Sequence, residues 1–150
     1  MQFVAQLTPH PQPAIQPTTS MCVLTFVARA SDSLLLVASF SHSTSSRITS
    51  ESLDMFKSQA KQVLKTLNSQ SLAKCSIESG DCVFHYLILD DVIFLTLTER
   101  SYPKRLAFLY LGEVHEGFVG ELERDYGNVW REKVRCVWGG RCEEGGQERR

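Results

Sequence analysis

Apolar positions recur in two rhythms along this chain. From Cys22 to Arg29, and again from Leu34 to Phe40, β-type residues crowd together, separated only by the turn residues Ala30, Ser31, Asp32 and Ser33. So short a connection joins antiparallel neighbours. The run Ser41 to Ser50, rich in Ser and Thr, reads as a polar loop. The period then changes. Leu53, Phe56, Ala60, Val63, Leu64 and Leu67 follow at spacings of three and four, which predicts a helix from about Glu51 to Asn68. Thr49 or Ser50 can cap it, because a hydroxyl oxygen accepts a free N–H of the first turn. Glu51 and Asp54 suit the positive end of the helix dipole, and Lys61 and Lys65 sit toward its negative end.

Three more strands are expected, at Ala73–Glu78, Cys82–Leu89 and Val92–Thr98, turned by Ser79-Gly80-Asp81 and by Asp90-Asp91. The first alternates, with Cys75 and Ile77 on one face and Lys74, Ser76 and Glu78 on the other. That is the pattern of an edge or half-buried strand. The other two are apolar on both faces, as central strands covered on both sides must be. Pro103 opens a last helix, where a missing N–H does no harm. Its stripe is Leu106, Ala107, Leu111, Val114, Phe118 and Leu122, ending near Arg124. Gly112, Gly117 and Gly120 each weaken it by roughly 0.8–1 kcal/mol relative to Ala. The order β-β-α-β-β-β-α predicts an α+β sandwich: five antiparallel strands with helices over both faces.

Neither end of the chain has a period. Residues 1–20 carry Pro9, Pro11, Pro13 and Pro17 and read as a disordered, Pro-rich lead-in. Residues 135–150, with four glycines and balanced charge, read as a disordered tail. One domain is expected between them, over residues 21–134. Composition agrees, with 43% hydrophobic and 22% charged residues in 150. A net charge of -1 favours neither nucleic acid nor an acidic membrane. Five cysteines with no C-x-x-C pair read as reduced intracellular thiols. The apolar runs fall far short of the roughly 20 residues of a membrane span, and the first residues lack the basic start of a signal peptide.

Candidate chemistry is sparse. There is no nucleophile elbow, Walker loop, dinucleotide fingerprint or zinc-protease helix. His10 and His42 fall in segments without pattern. A hairpin turning about Gly80 sets Cys75 opposite His85, with Cys82 a poor third ligand. Structural zinc takes four ligands and catalytic zinc three, so a packed, hydrogen-bonded histidine is the reading. No metal or other cofactor is expected. Asp90-Asp91 reads as a solvated turn, and Cys136 with Cys142 has no second pair to make a zinc knuckle. Arg100, Lys104 and Arg105 put three cations within six residues at a helix start. A phosphate cradle there would want glycines, and the stretch has none. A solvated or partner-facing helix end is the reading.

Four stretches, "MCVLTFVARASDSLLLVAS", "FKSQAKQVLKTLNSQS", "CSIESGDCVFHYLI" and "FLTLTERSYPKRLAFLYLGEVHEGF", in this order and at these spacings, resemble the longin domain of the ER–Golgi vesicle-trafficking R-SNARE family. The resemblance covers about Met21 to Val134. It implies a profilin-like longin fold, a five-stranded antiparallel sheet flanked by helices. It also implies a protein that is no enzyme but acts in ER–Golgi vesicle transport at the cytoplasmic face of those membranes, binding SNARE segments and vesicle coat subunits. Family analogy places a partner-binding groove between the first helix and the neighbouring edge strand, here Phe56, Ala60, Val63 and Leu64 with Cys75 and Ile77. An edge strand with unpaired N–H and C=O groups beside apolar pockets suits such a segment. The family continues with a third helix, SNARE heptads and an anchor, whereas "RCVWGGRCEEGGQERR" has no heptads. The expectation is therefore a monomeric domain truncated before the SNARE motif, by splicing, a retained intron or a gene-model error. Its third helix would be missing and some apolar sheet surface left bare. Two further readings stand beside this one. One is a longin-like scaffold subunit for a small GTPase or coat complex. The other is a profilin-like small-molecule sensor, hinted at only by Cys75 and His85.

Overall fold

The computed structural model describes residues 22–40 and 48–137. The Pro-rich lead-in, His10, His42, Cys142 and most of the tail lie outside the described residues. Five strands, β1 (Cys22–Arg29), β2 (Leu35–Phe40), β3 (Lys74–Ser79), β4 (Cys82–Leu89) and β5 (Val92–Glu99), form one antiparallel sheet in the order β2-β1-β5-β4-β3. Helix α1 (Ser50–Thr66) crosses from β2 to β3, and α2 (Lys104–Tyr126) follows β5. Every residue of β1 is buried, and so is β5 up to its last position. The alternating strand, β3, is indeed an edge.

The two faces carry separate cores. Under α1, Phe56, Ala60 and Leu64 pack with Leu24, Phe26, Phe84, Ile93, Leu95 and Leu97. Thr49 caps α1, its Oγ1 accepting the Ser52 N–H at 3.2 Å. On the other face, Phe108 and Leu111 of α2 pack with Val27, Val92 and Phe94. The three helix glycines do not interrupt α2, which runs 23 residues to Tyr126. Tertiary packing of the stripe outweighs their propensity. Gly127 ends it at φ +58°, ψ -145°, a conformation that suits glycine.

The described residues carry the two long helices expected and one short one besides. After a 3₁₀ turn at Gly127–Val129, α3 (Trp130–Val137) adds eight residues, three of them beyond the expected domain boundary at Val134. So short a helix is marginal alone, and docking explains it. Trp130 and Val134 are buried in the α2-side core. The buried Arg29 guanidinium, paired with Asp32, donates to the Val134 carbonyl at 2.8 Å. Asp90 corrects another expectation. Its carboxylate is not merely a solvated turn group: it accepts from His115 Nε2 of α2 at 3.1 Å and from Arg131 of α3 at 3.1 Å. These two contacts hold its carboxyl below the usual range, the His115 hydrogen bond first. Bare sheet surface is expected where a third helix is missing; α3 docks there instead, and with Lys133 it leaves a small groove between β2, α2 and α3. Leu36, Val37, Phe118, Leu122, Tyr126 and Val134 also line this groove, of about 220 Å³.

Candidate functional site

The register of the β3–β4 hairpin decides what its edge can do. Cys75 pairs with Tyr86 and Ser76 with His85. The expected Cys75–His85 pair is therefore off by one position, and a slip of one places the two side chains on opposite faces. Cys75 packs toward the α1 core. His85 faces α2, its ring 5.5 Å from that of Phe108. No cluster of three or more His, Cys, Asp or Glu that could hold a metal exists among the described residues.

His85 belongs to a polar seam beneath α2. Its Nδ1 lies 2.8 Å from Ser76 Oγ and its Nε2 3.0 Å from Thr98 Oγ1. Farther along, Thr25 Oγ1 meets Tyr110 Oη at 2.9 Å, and Thr96 Oγ1 donates to the Leu24 carbonyl at 2.9 Å. Burial, then the charge of Lys104, pushes the His85 ring below its ordinary value, so it is neutral at pH 7. The seam is closed on itself, its partners all within the sheet and α2.

The edge is different. Ile88 N donates to the Ala73 carbonyl at 2.8 Å, which makes residues 73 and 88 a hydrogen-bonded antiparallel pair. Such pairs alternate. Cys75, Ile77 and Ser79 therefore point their N–H and C=O groups at β4. Lys74, Ser76 and Glu78 point theirs away from the sheet, where no strand follows among the described residues. Three residues of open ladder result.

Beside that ladder runs a groove of about 290 Å³, lined by Gln59, Gln62, Val63 and Thr66 of α1, by Ile77, Glu78 and Ser79 of β3, and by Phe84. It opens past Gln59 and Ser79 into a larger depression of about 960 Å³ that reaches Ile48, Met55 and Arg100. The structure sorts the six groove residues read from the sequence. Val63, Cys75 and Ile77 are half-buried or more exposed, and Val63 and Ile77 face the groove. Phe56, Ala60 and Leu64 are core side chains, at most 8% exposed. Phe56 does reach the wall of the larger depression. Gln59, Gln62, Thr66 and Phe84 were missed. The first three lie on the polar side of the α1 pattern, where periodicity assigns solvent, and Phe84 reads as core.

Comparison with known proteins agrees with this architecture. The family profile described as "Longin: Regulated-SNARE-like domain" matches residues 38–134. The chain is 41% identical over 107 residues to "Vesicle-trafficking protein SEC22b-A" of Danio rerio, covering 71% of this chain and 46% of that protein. It is 41% identical over 98 residues to "Vesicle-trafficking protein SEC22b" of Xenopus tropicalis, 65% of this chain and 44% of that one. A third relative is "Protein transport protein sec22" of Schizosaccharomyces pombe, 42% identical over 96 residues, 64% of this chain and 41% of that one. The chain thus spans less than half the length of the curated relatives it matches. No described helix is long and apolar enough to cross a membrane. Five antiparallel strands between α1 and α2, with the edge strand open beside α1, and a profile match over most of the domain lead to one conclusion: this chain belongs to the longin, regulated-SNARE-like domain family.

Proposed function

We propose that this domain acts in vesicle trafficking between ER and Golgi as a non-enzymatic segment-binding module, working at the cytoplasmic face of those membranes. An extended stretch of a SNARE protein or of a vesicle coat subunit adds to β3. Its backbone bonds the outward N–H and C=O groups of Lys74, Ser76 and Glu78, and its α1-facing side chains seat against Val63 and Ile77. The observation that carries this reading is the coincidence of open ladder and apolar groove on one edge. Main-chain bonds supply affinity, and alternate side chains entering the groove supply selectivity. The trafficking role comes from the names of the relatives.

A pull-down tests it, with SNARE segments and coat subunits as prey and the full chain as bait. Ile77→Asp places a charge on an exposed groove wall, and Val63→Asp places one on a partly buried wall at the rim of the α1 core. Both are expected to lose capture while keeping the wild-type circular dichroism spectrum. Equal capture by the folded variants, or no capture by the wild type, overturns the reading.

A further inference from the structure

A second concave surface lies on the other side of the sheet, at the first turn of α2. Lys104, Arg105, Phe108 and Leu109 of α2 and Lys74 of β3 line a cleft of about 480 Å³. Lys74 Nζ sits 4.3 Å above the Phe108 ring, so a strand and a helix build the cleft together. All its charged lining residues are cations. None of the three makes an ion pair with a described residue, although Arg100 nearby pairs with Glu78. The apolar part is exposed as well: Leu109 is 59% accessible and Leu106, one position from the cleft, 36%. Folding alone does not account for this arrangement. Cations in a first helical turn oppose the dipole, and an exposed leucine gains nothing from water.

We propose that this cleft binds an acidic peptide segment of a partner protein, with one carboxylate among Lys74, Lys104 and Arg105 and an adjacent apolar side chain against Phe108 and Leu109. Charge complementarity selects the anion. The rest of α2 selects a peptide over a membrane. Glu113, Glu116, Glu121 and Glu123 are exposed farther along the helix, and they repel a flat anionic surface laid along it. A short segment reaching only the first turn avoids them. The cleft faces α2, away from the groove between α1 and β3; the two share only Lys74, whose backbone lies on the β3 edge, while Lys104, Arg105, Phe108 and Leu109 belong to the cleft alone, so this inference does not rest on the function proposed above.

The probe is a synthetic peptide of alternating Asp, Glu, Leu and Phe, titrated into the ¹⁵N-labelled full chain and followed by amide shifts and calorimetry. Its Asn/Gln analogue is the uncharged control. Vesicles of phosphatidylcholine with and without phosphatidylserine are the membrane control. The expected result is saturable binding, with shifts at Lys104, Arg105, Phe108 and Leu109 and with affinity at least about tenfold lower for the analogue. The double variant K104E/R105E changes two exposed side chains without ion pairs and is expected to fold and to lose the peptide. Val63→Asp is expected to keep it. No binding, equal binding of the uncharged analogue, or shifts confined to Val63 and Ile77 overturns the proposal. So does binding of phosphatidylserine vesicles in place of the peptide, which assigns the cleft to a lipid surface.

Discussion

Trp130→Ala tests how α3 is held. Trp130 is 1% exposed, between the β1–β5 side of the sheet and α2. A buried tryptophan removes about 150–250 Å² from water. At about 25 cal/mol per Å² that is roughly 4–6 kcal/mol, and the alanine left behind and partial collapse of the site bring the expected loss to about 3–5 kcal/mol. The indole N–H has no hydrogen-bond partner among the described residues, so no lost bond adds to the sum. With a urea slope of about 1–3 kcal/mol per M, the midpoint falls by roughly 2 M. Circular dichroism should follow the unfolding, since the substitution removes one of only two tryptophans. Hydrogen exchange should show residues 130–134 losing protection before the sheet does. A midpoint shift below about 0.5 M, at an unchanged slope, refutes the packing argument and makes α3 an appendage.

Other outcomes follow from the same structure. Gly117 lies in mid-helix with open space where a Cβ would go, so Gly117→Ala should stabilise by about 0.8–1 kcal/mol and raise Tm by a few degrees. Gly127→Ala, at φ +58°, should destabilise by roughly 1–3 kcal/mol in the same melting assay. His85 has a folded value depressed by burial. Its contribution to stability is therefore whole above the unfolded value, about 6.5, and is lost as pH falls through the folded one. Urea midpoints should drop below about pH 6.5 in the wild type and drop less in His85→Gln. Asp90 is also depressed. Its share is present above about pH 4 and lost below it, so Asp90→Asn should cost roughly 1–2 kcal/mol at pH 7 and little in acid.

Much of the architecture was legible because one rule governed each element. Period two with apolar residues on both faces made β4 and β5 interior, and alternation made β3 an edge. α3 was not legible. Its eight residues carry too little pattern, and what holds it, Arg29 reaching the Val134 carbonyl and Trp130 entering the second core, is long-range. Asp90 escaped for the same reason: its partners lie 25 and 41 residues away. The groove was half legible. Family resemblance pointed to the α1–β3 edge, where a groove lies, but the α1 stripe names core and groove residues alike, and only packing separates Leu64 from Val63. The Cys75–His85 pairing failed by one residue, because turn length fixes register and the Gly80 turn admits two.

The central claim is that β3 receives an added strand. Amide hydrogen exchange, measured with and without a captured SNARE or coat segment, tests it most directly. The account predicts new protection at Lys74, Ser76 and Glu78, whose N–H groups point outward, and little change at Ile77, which already bonds β4. Binding that leaves those three amides exchanging at their free rate, or that protects α2 instead, contradicts it.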